Sequence, residues 1–234
     1  MTLSLLGGLW VVVMLSAVVQ GTVGIGFALI VAPVFAMVDP AYLPVTLLVL
    51  MLPLNAHVAW RERTAIDWHG TGWITLGRFL GTFVGLALLL ALSVRQMEIA
   101  VGLFTILAAL VALFAPPFVP RRTSSTSVGL FTGISETATG IGGPPLALLY
   151  QHASGPKLRA TVAACFLIGE VFSLVVLALG GRVNLDHLVA TALLIPAVIL
   201  GSFLSRYAHA YIPAVRLRMA VLILSMLCGL VLIA

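Results

Sequence analysis

The chain has 234 residues, of which 62% are hydrophobic and 8% charged, with a mean hydropathy of +1.21. That composition excludes a water-soluble domain and describes a polytopic membrane protein, with little room for a separate soluble unit. The net charge of +5 comes from basic residues scattered through short segments between apolar runs, which argues against nucleic acid and leaves the lipid bilayer as the main partner.

In chain order, apolar runs fall at Leu3–Val19, Phe27–Val38, Tyr42–Trp60, Thr71–Leu92 and Met97–Ala115. After a linker holding Pro116-Pro117 and Arg121-Arg122 come Ser127–Thr137, Pro144–His152, Ala160–Leu179, Leu188–Ser205 and Val215–Ala234. Several are long enough to cross about 30 Å of hydrocarbon, whereas Ser127–Thr137 and Pro144–His152 each reach about halfway. The first run lacks a leading Lys or Arg and a good cleavage pattern, so it is expected to stay on the protein. Cys165 and Cys228 both lie inside apolar runs, which argues against a disulfide framework.

Two breaks interrupt this pattern. Gln20-Gly21-Thr22-Val23-Gly24-Ile25-Gly26 and Ser135-Glu136-Thr137-Ala138-Thr139-Gly140-Ile141-Gly142-Gly143-Pro144-Pro145 are polar and glycine-rich, yet lie among apolar residues. Non-helical backbone survives at membrane depth only where protein covers it or it lines a cavity. Matching breaks in two half-chains are a pointer to a transporter's binding site.

The breaks belong to a repeat. Gly24-Ile25-Gly26 and Gly140-Ile141-Gly142 are 116 positions apart, and Pro40 and Pro156 keep that offset. Further on the offset drifts to 120, where Gly77, Gly81 and Gly85 meet Ala197, Gly201 and Ser205. If each broken stretch is a hairpin returning to its own side, one face collects Arg61, Arg63, Arg121, Arg122, Lys157, Arg159, Arg206, Arg216 and Arg218, leaving Arg95 and Arg182 for the other. The positive-inside rule then makes the first face cytoplasmic and puts both termini outside. The expected fold is an all-α polytopic membrane protein of two inverted repeats, each a broken, re-entrant-type helix hairpin plus three transmembrane helices. Its expected divisions are residues 1–115, a cytoplasmic linker at 116–126, and residues 127–234.

The second arm of a hairpin begins in the membrane with free N–H groups, and a helix N-terminus favours an anion. Gly140, Gly142 and Gly143 let the backbone approach a ligand or adopt positive φ, and Pro144 and Pro145 suit a first helical turn. The residues expected to bind substrate are therefore Gln20, Thr22, Gly24 and Gly26 at the first break. At the second they are Ser135, Thr139, Gly140, Gly142, Gly143 and Pro144. This geometry makes an anion site without a basic side chain. The competing reading gives the glycines only a role in close helix packing.

A Gly-rich, Ser/Thr-containing break ending in Gly140-Ile141-Gly142-Gly143-Pro144, echoed by Gly24-Ile25-Gly26, resembles the sulfite exporter TauE/SafE family. Phe27-Ala28 stands where many members continue with glycine. The resemblance extends over the whole chain through length, repeat and span order. It implies a carrier for small anions, sulfite and organosulfonates such as sulfoacetate among them, in the inner membrane of a bacterial cell.

Carboxylates inside a membrane are functional candidates by default. Glu136, one turn before Gly140 and matched by Gln20, and Glu170, matched within one register step by Asn55, are the expected proton-coupling residues. For Glu170 the plainer alternative is a hydrogen bond to a neighbouring helix. Arg78, eight residues into Thr71–Leu92, is expected to snorkel to the cytoplasmic face, with a role in holding an anion as the alternative. His57, His152 and His209 sit near run ends, and no cluster has metal-ligand spacing, so neither cofactor nor metal is expected. The Gly77, Gly81, Gly85 stripe could pack within one protomer or join two in a homodimer. Two other functions compete: a divalent-cation permease with the acids as ligands, and an intramembrane enzyme using Glu136 with Ser135 or Thr139. The enzyme lacks a paired base within plausible reach.

Overall fold

The computed structural model describes residues 3–114, 120–211 and 214–234; side chains at position 3, at 209–216 and at 218 are outside the described set, as is the Pro116-Pro117 linker. The described residues form ten α-helices and two short 3₁₀ turns, with no strand among them. The helices are α1 (Leu3–Val23), α2 (Phe27–Val38), α3 (Val45–Arg61), α4 (Trp68–Ala91), α5 (Val94–Phe114), α6 (Arg122–Thr139), α7 (Gly143–Leu149), α8 (Gly155–Leu179), α9 (Leu185–Tyr211) and α10 (Ala214–Ile233). Among the described residues, α1, α4, α5, α8 and α9 contain windows long and apolar enough to cross a membrane.

Local chemistry sets the boundaries. Asp67 begins α4 as its N-cap, accepting a hydrogen bond from Gly70 N–H at 3.0 Å. Pro144 and Pro156 sit in the first turns of α7 and α8, where a missing N–H costs nothing. Gly26 (φ 130°) and Gly140 (φ 83°) hold the positive φ that turns the chain out of a helix, which a side chain resists. The two arms at the second break are unequal. Helix α6 starts at Arg122, earlier than the apolar run suggests, and its 18 residues rise about 27 Å, whereas α7 has only seven. Thr123–Thr126 are hydrophilic, so hydropathy alone trims that first turn.

Helix α4 packs most extensively on α6, and α1 on α9. Both pairs run parallel and approach through small residues. A Cβ on Gly81 would collide with Leu130 O of α6, and one on Gly201 would collide with Met14 O of α1. One on Gly85 would come within 2.8 Å of Thr137 Cβ, and one on Gly21 would collide with Ser205. The glycine stripe of α4 is therefore spent inside the protomer, against α6, rather than between two copies.

The helix ends sort onto two faces. Trp10 Nε1 donates to Leu193 O near the starts of α1 and α9, at 3.2 Å. Arg95 at the start of α5 donates to Leu232 O and Ile233 O at the end of α10, both at 3.3 Å. Arg182 donates to Leu89 O near the end of α4 at 2.9 Å, so Arg95, Arg182 and both described chain ends share one face. The opposite face carries Arg61, Arg63, Arg122 (over the Trp73 ring), Lys157 and Arg159.

Candidate anion site at the two helix breaks

The breaks are built from side chains that cap their own loose ends. At the first, Gly24 N–H donates to Gln20 O at 2.7 Å, and Phe27 N–H, the first of α2, donates to Gln20 Oε1 at 3.0 Å. At the second, Gly140 N–H donates to Glu136 O at 2.7 Å, and Thr132 Oγ1 reaches Gly142 O at 3.4 Å. A Cβ added to Gly143 would lie 3.4 Å from Ile25 Cγ2 and 3.6 Å from Phe166 Cζ. The two breaks therefore touch, with α8 against both.

Polar groups converge beside that contact. Gln20 Nε2 donates to Asn55 Oδ1 at 2.9 Å, and Asn55 Nδ2 donates to Glu170 Oε1 at 2.6 Å. This line runs from the first break through α3 to α8, and all three side chains are buried. On the other side Arg78 Nη2 lies 2.5 Å from Glu136 Oε2, with side-chain exposures of 1% and 0%. The guanidinium carbon is 5.6 Å from the Phe166 ring centroid and lies on Gly169, where any Cβ would collide with it. Among the described residues, no hydrogen-bond acceptor reaches Arg78 Nε or Nη1, and no donor reaches Glu136 Oε1.

Arg78 overturns the snorkelling expectation. It is among the largest fully buried side chains, while its neighbours Phe79 and Leu80 are exposed. The face of α4 that carries Gly77, Arg78 and Gly81 points at α6 and α8, so the guanidinium has no route to the membrane surface. It also changes the electrostatics expected of the site. With seven residues and two prolines in its first turn, α7 offers few N–H groups and a small dipole, so the strong positive charge beside the breaks is a side chain.

The other expected residues divide by where their polar atoms go. The hydroxyls of Thr22, Ser135 and Thr139 donate to Val18 O, Thr132 O and Ser135 O of their own helices, and Thr22 Oγ1 also reaches Ser205 O of α9 at 3.4 Å. Ser135, Gly142 and Pro144 line a recess of about 30 Å³ against Phe104 and Leu107 of α5. Gly24 is covered by Leu158 and Arg159 at the start of α8. Positive φ occurs at Gly24, Gly26 and Gly140 but not at Gly142 (φ −142°) or at Gly143, the first residue of α7, so that expectation is corrected at both. Gly142 is needed for space instead: a Cβ would lie 2.8 Å from Thr132 Cγ2 and 2.9 Å from Glu136 Oε2. A hydroxyl cluster escaped sequence reading, with Ser173 Oγ 2.9 Å from Thr137 Oγ1 and 3.4 Å from Thr82 Oγ1. Thr82 and Ser173 lie four residues beyond Arg78 and Gly169, a spacing that puts each pair on one helix face.

At the more basic face, Glu62 receives Arg159 Nε on both oxygens at 3.1 Å and Arg159 Nη2 at 2.7 Å. Arg61 Nη2 donates to Glu62 Oε1 at 3.2 Å and to Gly21 O at 3.0 Å, which ties the first break to that network. Nearby, Tyr150 O–H donates to Asp67 Oδ2 at 3.3 Å, and Lys157 Nζ is 3.7 Å away. Burial of Asp67 favours its neutral form, but Gly70 N–H, Lys157 and Tyr150 outweigh it and hold the carboxyl below its ordinary range. On the opposite face a cavity of about 330 Å³ opens between Asp39, Ser93, Arg182 and His187.

An apolar helical bundle with several spans and buried charge at its centre defines a multi-pass membrane protein. Its family is equally plain: the profile of "Sulfite exporter TauE/SafE" matches residues 9–232, nearly the whole chain. The chain belongs to the sulfite exporter TauE/SafE family, a family of membrane transporters. Comparison with curated proteins and with solved structures found no match.

Proposed function

We propose that this protein is a secondary transporter, working as an exporter, for a small anion such as sulfite or an organosulfonate. The anion crosses where the two glycine-rich breaks meet. The observation that carries this reading is the contact of Gly143 with Ile25 beside a fully buried Arg78 and two buried acids. A fixed positive charge in a low-dielectric interior is a costly feature that suits anionic cargo.

The two-fold pattern of packing supports inverted repeats. Gly81 meets Leu130 as Gly201 meets Met14, in parallel helix pairs that start from opposite faces, and Asn55 of α3 bonds Glu170 of α8. With the more basic face in the cytoplasm of a bacterial cell and both termini outside, an inside-negative potential drives out a monovalent anion that moves alone by roughly 2.3 kcal/mol per 100 mV, whereas one carried with a proton moves down its own gradient. Glu136 and Glu170 are the groups through which a proton could be coupled to that flux.

The cation-permease reading finds less support. Glu136 is paired with Arg78 and Glu170 accepts from Asn55, so both acids are already engaged and a cation bound there would meet the Arg78 charge. The test is counterflow in proteoliposomes. Vesicles loaded with unlabelled sulfite should accumulate labelled sulfite transiently, and external sulfite, not divalent cations, should compete. Competition by divalent cations alone would favour the permease, and absence of counterflow would reject a carrier.

A further inference from the structure

We propose that Arg78 is the charge-bearing ligand of the transported anion and that Glu136 occupies it whenever no anion is bound. Cargo and carboxylate then exchange on one guanidinium. This rests on the anion-carrier reading above and names the residues by which that site takes up and gives up its load.

Two arginine–glutamate pairs in this protein make the case by contrast. Arg159 grips Glu62 through both Nε and Nη2 and engages both carboxylate oxygens, the two-point fit of a structural tie. Arg78 is as fully buried or more so, yet it meets Glu136 through one nitrogen and one oxygen. Its Nε and Nη1 have no acceptor among the described residues, and Glu136 Oε1 has no donor. A guanidinium cannot shed its proton and so needs an anion, but here only part of its fork is used. A group with three oxygens on one centre, such as sulfite or a sulfonate, matches the unused donors.

The surroundings are shaped for such an exchange. Gly169 leaves a flat bed for the guanidinium, and Gly142 leaves room beside Glu136 Oε2. Thr82 and Ser173, one turn beyond Arg78 and Gly169, join Thr137, the residue after Glu136, in a hydroxyl cluster beside the pair.

Charge balance then fixes the proton. Arg78 and Glu136 together are neutral, so a monovalent anion on Arg78 keeps the interior neutral only if Glu136 takes a proton. The groups facing Glu136 are Arg78 from α4, Glu170 and Cys165 from α8, and Thr132 and Gly142 from its own helix and break. Arg78 is the cation among them, and Asn55 already engages Glu170. The anion therefore enters with a proton and leaves with it.

The test is calorimetric titration of the purified protein with sulfite and with methanesulfonate, a monoanion that stays ionised near neutral pH. Repeating the methanesulfonate titration in buffers of different ionisation heat counts the protons taken up. The wild type should take up close to one proton per anion. Glu136→Gln should take up almost none and bind about tenfold to a hundredfold tighter, because its amide no longer competes as a charge. Arg78→Lys should bind more weakly, having charge but no fork. The double variant Arg78→Gln/Glu136→Gln, which strands neither member of the pair as an uncompensated buried charge, should bind neither anion. Wild-type binding without proton uptake, or wild-type affinity in the double variant, would overturn the proposal. Failure of the wild type to bind either anion would bring down the carrier reading itself, and this exchange with it.

Discussion

Asn55 Nδ2 lies 2.6 Å from Glu170 Oε1, joining the middle of α3 to the middle of α8 inside the bundle, while Asn55 Oδ1 accepts from Gln20. One amide thus satisfies two buried partners on two other helices. Asn55→Leu should strand both and lower stability by about 1–3 kcal/mol, read as a lower Tm of the purified protein. Glu170→Gln keeps an acceptor for Asn55 and should cost much less. Equal losses would show that the amide is not what holds the two helices in register.

The glycine stripe of α4 should behave as packing surface. Gly81→Ala pushes a methyl into Leu130 O, a backbone atom that cannot step aside, and should sharply reduce the yield of folded protein. Gly7, with nothing within 4 Å of its would-be Cβ, should accept alanine with no loss or a gain of up to about 1 kcal/mol. Size-exclusion yield separates the two, and comparable yields would contradict the α4–α6 contact.

Topology can be checked from exposed positions. Ser4 lies near the start of α1 and Thr123 near the start of α6, and both are exposed. Ser125 is a poor reporter, since it is buried. Cysteines at Ser4 and Thr123, with Cys165 and Cys228 replaced, should react with impermeant reagents from opposite sides of the membrane. Labelling from one common side would break the hairpin arrangement and the inversion built on it.

Acid should loosen the base of α4. Because the Asp67 carboxyl titrates below its ordinary range in the folded protein, its contribution is intact above the unfolded value of 3.8 and is lost as pH falls through the folded one. Asp67→Asn should cost about 0.5–1 kcal/mol at neutral pH and flatten the acid limb of the Tm profile. An unchanged acid limb would show that other carboxyls set it.

Much of this was legible in the sequence, and what was not has physical reasons. The breaks declared themselves because helix-breaking, polar residues inside apolar runs have few explanations in a membrane. Glu170 and Asn55 were near repeat partners in the sequence and are bonded in the structure. For Arg78 the sequence favours snorkelling over a role in holding an anion, and the burial of the side chain contradicts it. The residue's distance from the end of the run fits snorkelling, and only the packing of α6 and α8 over its face shows that the side chain is sealed in. The starting point of α6 was missed for a related reason, since hydropathy marks lipid contact and the first turn of α6 is polar. The Gly85 stripe likewise needed a partner helix before its role inside the protomer could be assigned.

The central claim is that the anion passes at the meeting of the two breaks, and sulfite efflux from loaded proteoliposomes tests it most directly. Gly142→Ala places a methyl 2.8–3.1 Å from Thr132 and Glu136 side-chain atoms, which can shift, so the protein should fold. Efflux should run down an imposed outward sulfite gradient in the wild type and fall at least about tenfold in the variant at equal reconstituted protein, a barrier increase of about 1.4 kcal/mol. Wild-type efflux from Gly142→Ala would contradict a route through the breaks.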